Sequence, residues 1–447
     1  MTLFGALFGD DEAASQLSDR ARLQAMLDVE AALADAEAEL GIIPRSCATP
    51  IRNASRAALY DAAAIAGEAA AAGNLAIPLV QHLTRHVAAA DPDAARYVHW
   101  GATSQDILDT GLILQLRAAV PAIVGHLLRG ERAAARLARE HIATPMAGRT
   151  WLQQATPITF GLKAAGWLDA LDRERAAIET SLNDASVLQF GGASGTLASL
   201  GDRGGAVAAR LADLLGLTCP DIPWHAHRDR LVRLACALGI ACGVLGKIGR
   251  DIALLAQTEV GESAEAHGGG SSTMPHKQNP VKASVALAAS VRAPGLVATM
   301  LAAMPQEHER GLGGWQAEWV VLPELVLVTA GASRALADAL TTLRVYPERM
   351  RANLDATRGL ALAEAVAMTL AGAMGKRRAH ARVEEASRRA AAEGLLLADA
   401  LAADPEVARH MTRDEIDRRL DPASYLGEAR TFVERVLARV SGVVDGR

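Results

Sequence analysis

Gly268-Gly269-Gly270-Ser271-Ser272-Thr273-Met274-Pro275-His276-Lys277-Gln278-Asn279-Pro280 is the stretch on which the reading of this 447-residue chain turns. Three consecutive glycines free the backbone. Their unobstructed N–H groups can gather around an oxyanion or help a serine approach an alkoxide. Pro275 and Pro280 stiffen the exit and prepare a helix from about Val281. A plain flexible linker has no use for the run Met-Pro-His-Lys-Gln-Asn-Pro. A phosphate-cradling loop would need Gly-Lys-Ser/Thr directly after its glycines and a strand in front. Neither description fits, so the residues themselves mark a functional loop.

Outside the loop the chain reads as helical. Half of it is apolar while only 3% is aromatic, and the β-branched and aromatic residues that strands prefer are scarce against the alanine. A formal charge of −5 gives no electrostatic footprint for nucleic acid. Cys47, Cys219, Cys236 and Cys242 include no Cys-x-x-Cys pair, and none lies near the loop, so buried free thiols are expected rather than a metal or redox site. The first residues lack a basic region followed by an apolar core, and no charge-free run of about 18 apolar residues stands out. A soluble, cytoplasmic protein is expected.

Ser18 caps a helix that runs to Leu40 and is stopped by Gly41 and Pro44, with Leu23, Met26, Leu27 and Leu33 on its apolar face. Shorter helices follow through residues 50–90. Leu231, Leu234, Leu238, Ala241, Leu245, Ile248, Ile252 and Leu255 alternate spacings of three and four, the seam of a long bundle helix. Gly243, Gly246 and Gly249 within it suggest close backbone approach to neighbours. Similar patterns over 111–141 (kinked at Pro121), 159–187, 281–304 and 322–344 predict an elongated bundle whose leftover seams imply subunit association. Beyond residue 355 charge density rises and Pro405 and Pro422 punctuate shorter helices. The expected division is 1–110, an N-terminal helical domain; 111–354, the bundle; and 355–447, a C-terminal helical domain. His82 with His86, and His225 with His227, have spacings that metal sites use, but no further ligand accompanies either pair, and packing roles are expected.

The glycine stretch resembles the Gly-Ser-Ser-x-Met-Pro-x-Lys-x-Asn-Pro signature of the fumarase/aspartase superfamily at every fixed position. Two further segments resemble that superfamily's other regions, in its order, so that the likeness covers almost the whole chain. His99-Trp100-Gly101-Ala102-Thr103-Ser104-Gln105-Asp106 resembles the first. Its Thr103, Ser104 and Asp106 read as a helix N-cap cluster, and such an N-terminus is a natural carboxylate site. Gly148-Arg149-Thr150-Trp151-Leu152-Gln153-Gln154 resembles the second, commonly Gly-Arg-Thr-His-x-Gln in adenylosuccinate lyases, with Trp151 at the histidine position and Gln154 in place of a neighbouring histidine. His308-Glu309-Arg310 resembles a segment near the superfamily's active site. The Ala-Thr-Ser-Gln-Asp spelling and the Gly314-Trp315 continuation resemble the carboxymuconate cycloisomerase branch.

The resemblance implies an all-α, fumarase/aspartase-like fold whose central long-helix bundle is shared across a homotetramer, with each active site built from three subunits. It implies Ser271 as the catalytic serine, with Ser272 the alternate. Thr103, Ser104, Gln153, Lys277 and Asn279 would hold substrate carboxylates, Arg149 and Arg310 would be further anion-binding residues, and His99, Trp151 and His276 would lie nearby. It implies no cofactor, no metal, no nucleic acid and no membrane, and a small anionic polycarboxylate as substrate. The superfamily's chemistry makes or breaks a C–N or C–O bond beside a carbon whose proton an adjacent carboxylate acidifies, so fixed donors must wait for the second charge that develops there.

Trp151 narrows the choice. An amine or water leaving group needs an acid, for which histidine is suited. In muconate lactonisation the substrate's own carboxylate is the nucleophile and is already ionised. The implied activity is therefore closure of 3-carboxy-cis,cis-muconate to a carboxymuconolactone in protocatechuate breakdown by the β-ketoadipate route. The alternatives are a 3-sulfo analogue as substrate; adenylosuccinate lyase, against which Arg20-Ala21 stands where resembling lyases carry Arg-Tyr; and a structural homologue without activity, against which Ser271, Lys277 and Asn279 stand intact.

Overall fold

A computed structural model describes residues 4–266, 268–270, 273–274 and 276–444. Ser271, Ser272 and Pro275 of the glycine loop lie outside the described residues. The architecture is all-α, accompanied by two small two-stranded antiparallel sheets that composition did not announce.

Helix α1 (Asp19–Glu39) begins where the sequence places it: the Ser18 hydroxyl accepts from the Ala21 N–H at 3.2 Å, and Gly41 ends the helix at φ +67°. Leu23, Met26, Leu27 and Leu33 are buried as expected. The same helix also buries Glu30 and Glu37, which its apolar pattern does not reveal. Helices Arg45–Ala54, Ala62–Ala72 and Ala76–Ala90 follow and pack with α1 around Ile51, Ile65, Leu79 and Leu83.

The long helices are α2 (Ser104–Glu140), α3 (Phe160–Ala185), α4 (Asp229–Leu255), α5 (Val281–Ala303) and α6 (Gly314–Thr341). All eight seam residues of α4, from Leu231 to Leu255, are buried. A Cβ on Gly249 would stand 2.9 Å from the Ala283 carbonyl oxygen, so that glycine does permit the close approach expected of it; Gly243 faces open space instead. Helix α2 starts at Ser104 and continues through Pro121, so the boundary placed at 110/111 falls inside it. Helix α6 starts at Gly314, eight residues before its expected beginning, which puts Trp315 and Glu318 inside a helix rather than in a loop.

Two compact units emerge: residues 1–126, 174–245 and 288–334 form the first, and 127–173, 246–287 and 335–447 the second. Both small sheets belong to the second unit. Strands β1 (Pro145–Thr150) and β2 (Gln153–Thr159) make a hairpin with Thr150 opposite Gln153. Strands β3 (Ser263–Glu265) and β4 (Leu343–Val345) pair beside the glycine loop. There the Glu265 carboxylate accepts from the N–H groups of Lys282 and Ala283, at 3.1 and 2.8 Å, and so caps α5 where the loop ends. The C-terminal helices of this unit close on Val366, Leu370, Val383, Leu401 and Ile416.

Helices α2, α4, α5 and α6 are each long and apolar enough to cross a membrane by length and composition, although each carries charged residues. In α2, α4 and α6, 72%, 61% and 72% of the most apolar window is buried within the protein. In α5 the share is 28%, and Val291 and Leu301 stand exposed on it.

Candidate active site

In the first unit, the start of α2 is held by a buried polar lattice. The Asp106 carboxylate accepts from the N–H groups of Thr103, Gly191 and Gly192, at 2.9–3.0 Å, and lies 2.7 Å from His225 Nε2. One turn on, Asp109 takes Arg228 Nη1 at 2.6 Å and the Trp315 indole N–H at 2.9 Å. Arg228 also bonds Glu318 at 2.6 Å, and its guanidinium lies 4.8 Å from the Trp224 ring centre. Burial works against the charge of Arg228, but Asp109 and Glu318 outweigh it and raise its pKa. Burial also raises that of Glu318, against the pull of Arg228. These partners tie the 96–110 segment to the start of α6.

Arg310 rests on this lattice. Its guanidinium donates to Thr103 Oγ1 at 3.1 Å and to the Ala193 carbonyl at 3.0 Å, while Nε is buried without an acceptor among the described residues. No acidic side chain among the described residues balances its charge. Thr103 and Arg310 are thus brought together, with Ser104 as the first residue of α2. His99 Nδ1 lies 2.6 Å from Glu30 Oε1.

The remaining candidates belong to the second unit. Trp151 and Leu152 are the two residues between β1 and β2, at φ +52° and +65°, and are 98% and 76% exposed. A two-residue hairpin turn with positive φ at both positions normally takes Asn-Gly, so bulky apolar residues there indicate a demand other than stability. Four of the six non-glycine residues with positive φ among those described, His99, Trp151, Leu152 and His308, fall in the segments that the motifs single out. Gln153 is exposed at the start of β2.

Arg149, expected from sequence to bind an anion, pairs with a carboxylate of the chain: Glu262 accepts from its two Nη atoms at 2.9 and 2.6 Å, and Asn353 secures the same carboxylate at 2.7 Å. Its charge is balanced inside the fold.

In the glycine loop, Gly269 and Asn279 exchange backbone hydrogen bonds of 3.0 and 2.9 Å, which closes the loop at its base. His276, Lys277 and Asn279 line a cavity of about 630 Å³ with Gln257, Ser263 and Tyr346, a size suited to a small ligand. The Ser263 hydroxyl is buried there without a partner among the described residues.

The histidine pairs have other employment. His82 bonds Glu68, His86 packs edge-on to Tyr60, and His225 serves Asp106. Among the described residues no three His, Cys, Asp or Glu side chains converge as a metal-binding group. All four cysteines are free, but only Cys47 and Cys242 are buried.

Asp109, Arg228, Glu318 and Glu30 were not read as site residues from sequence. Asp106 and Asp109, three apart on α2, carry a faint signal in their spacing; a single arginine after His227 carries none.

Comparison with known proteins gives a consistent picture. A family described as Lyase matches residues 9–295, and one described as Adenylosuccinate lyase C-terminus matches residues 359–436. The 3-carboxy-cis,cis-muconate cycloisomerase of Pseudomonas aeruginosa is 54% identical, over 98% of this chain and 96% of that protein. A nitrosuccinate lyase of Streptomyces davaonensis is 43% identical, over 96% and 93%. The crystal structure of the 3-carboxy-cis,cis-muconate lactonizing enzyme from Pseudomonas putida superposes with a TM-score of 0.94 at 49% identity, covering 99% of each chain.

Proposed function

We propose, from the premise that this chain belongs to the lyase family, that it is a cycloisomerase closing 3-carboxy-cis,cis-muconate to a carboxymuconolactone. The observation that carries this choice within the family is Trp151. The hairpin tip that bears a histidine in resembling lyases presents an indole, which donates no proton to a leaving group. Lactonisation needs none, because the attacking group is the substrate's own carboxylate.

In this scheme the carboxylate oxygen adds to the alkene, forming the ring C–O bond. Negative charge then builds on the carboxylate two carbons away, and the carbon between takes up a proton. Ser271 handles that proton, with Ser272 the alternate. Lys277, Asn279 and the exposed Gln153 hold carboxylates, as do the hydroxyls and N–H groups at the N-terminus of α2, Thr103 and Ser104. Arg310, the uncompensated arginine, serves the additional carboxylate. Arg149 with Glu262 fixes the hairpin that carries Trp151.

The working form in this reading is a soluble cytoplasmic homotetramer whose sites draw on more than one subunit. The uncovered apolar length of α5 and the exposed Trp151, Leu152 and Leu312 (84% exposed) support it, since isolated soluble chains rarely leave so much apolar surface in water.

The 43% identity to a nitrosuccinate lyase supports a second reading, elimination from a substituted succinate. Ultraviolet absorbance with 3-carboxy-cis,cis-muconate, nitrosuccinate and adenylosuccinate in parallel separates the readings. Rapid loss of the diene band is expected in the first alone; turnover of either succinate with the diene untouched would overturn the cycloisomerase.

A further inference from the structure

His99 stands five residues ahead of Ser104 with its backbone at φ +59°, a conformation that neighbouring structure must hold in place. Its Nδ1 lies 2.6 Å from Glu30 Oε1. The Glu30 side chain is fully buried and that of His99 is 20% exposed. The second Glu30 oxygen has no partner, so the imidazole is the only group among the described residues that answers this buried carboxylate. A carboxylate on Nδ1 fixes both ring orientation and proton placement and leaves Nε2 as the outward nitrogen. Among the described residues Nε2 has no partner.

The charges acting on the ring come from two elements: helix α1 supplies Glu30, with Glu37 near that carboxylate, and α2 supplies Asp106, with His225 bonded to it. Arg310 bonds Thr103, the residue before α2. Burial opposes a charge on His99, but Glu30 and Asp106 outweigh it and raise its pKa above the ordinary histidine value. Meanwhile the proposed substrate brings three carboxylates. In the motif segments the described cations without an acidic partner are Lys277 and Arg310.

We propose that Glu30 is a positioning residue: it holds His99 so that Nε2–H, a charged donor, binds a carboxylate of the substrate beside Thr103 and Arg310. This rests on the reading of the site as one for a polycarboxylate. Because the proton on His99 does the binding, affinity is present below the histidine pKa and is lost as pH rises through it. Removing Glu30 lowers that pKa, so the loss begins at lower pH.

The test compares wild type, Glu30→Gln, Glu30→Asp and His99→Gln, each confirmed folded and of native size. KM and kcat are measured from pH 6 to 9. Calorimetric binding of tricarballylate, an unreactive tricarboxylate, is followed in buffers of different ionisation enthalpy. Glu30→Gln is expected to raise KM about tenfold at neutral pH with kcat within about twofold, and to move the alkaline rise in KM to lower pH. Glu30→Asp recovers part of this. His99→Gln abolishes both the pH dependence and the proton uptake that accompanies tricarballylate binding in wild type. Should Glu30→Gln fail to fold, Glu30→Asp, expected between wild type and His99→Gln in KM and alkaline limb, decides with His99→Gln. Unchanged KM, limb and proton uptake in the folded variants overturn the proposal, as does a wild type that binds no tricarballylate and turns over no polycarboxylate. Proton-linked tricarballylate binding that weakens in Glu30→Gln, without muconate turnover, upholds the role of Glu30 and refutes only the choice of substrate.

Discussion

Glu37 offers the sharpest quantitative check on the buried electrostatics. It is completely buried on α1, and neither carboxyl oxygen has a partner among the described residues. Burial, helped by the nearby Glu30 carboxylate, pushes its pKa from 4.5 up to about 9. An acid whose folded pKa exceeds its unfolded one binds more protons in the native state, so stability falls as pH rises between the two values. At pH 7 the interval already crossed is about 2.5 units. At roughly 1.4 kcal/mol per unit, this amounts to a deficit on the order of 3 kcal/mol. Glu37→Gln keeps the shape and cannot ionise. Its advantage should be nil below about pH 4.5, on the order of 3 kcal/mol at pH 7, and largest towards pH 9. For a chain of this length melting in one step, unfolding entropy is about 0.9 kcal/mol/K, so the melting temperature at pH 7 should rise by roughly 3 °C. Tryptophan fluorescence melts at pH 5, 7 and 8.5 provide the assay. A difference between variant and wild type that does not grow with pH would refute the reasoning.

Three other outcomes are expected. Ser271→Ala should lower turnover by about a hundredfold or more while KM changes little, because proton transfer belongs to the transition state; near-normal rates there, with Ser272→Ala inactive, would move the role to Ser272. Arg310→Met should raise KM and cost about 2–4 kcal/mol in kcat/KM, whereas Arg149→Met should chiefly lower the melting temperature by stranding buried Glu262; the reverse pattern would undo the distinction drawn between the two arginines. Sedimentation velocity should give a tetramer, and a monomer at micromolar concentration would remove the argument from the uncovered apolar surface of α5.

Helix positions were legible where chemistry is local. Ser18 caps α1, Gly41 ends it, and the three-and-four spacing from Leu231 to Leu255 marks the buried face of α4, because capping and periodicity act over one or two turns. The fold class and the superfamily were legible from the glycine loop for a different reason: a long fixed string of functional residues identifies itself without any folding argument. The β1–β2 hairpin was not anticipated, since its turn carries Trp151 and Leu152 where turn chemistry would call for Asn-Gly. Arg149 and Arg310 look alike in sequence, and only the position of Glu262 separates a neutralised guanidinium from an uncompensated one. Glu30 and Glu37 sit on an apolar helix face as isolated acids. The partner of Glu30 is His99, 69 residues on, beyond the reach of any pattern within the helix.

The account stands most directly on the claim that the substrate's own carboxylate closes a ring while a proton is delivered to the adjacent carbon. Proton NMR of the reaction run in D2O with 3-carboxy-cis,cis-muconate measures this in one spectrum. The predicted product is a carboxymuconolactone carrying one deuterium, at the ring-adjacent carbon next to a carboxylate, in a single stereochemical position. Recovery of unchanged diene triacid, under conditions where the same enzyme eliminates nitrite from nitrosuccinate, would contradict it.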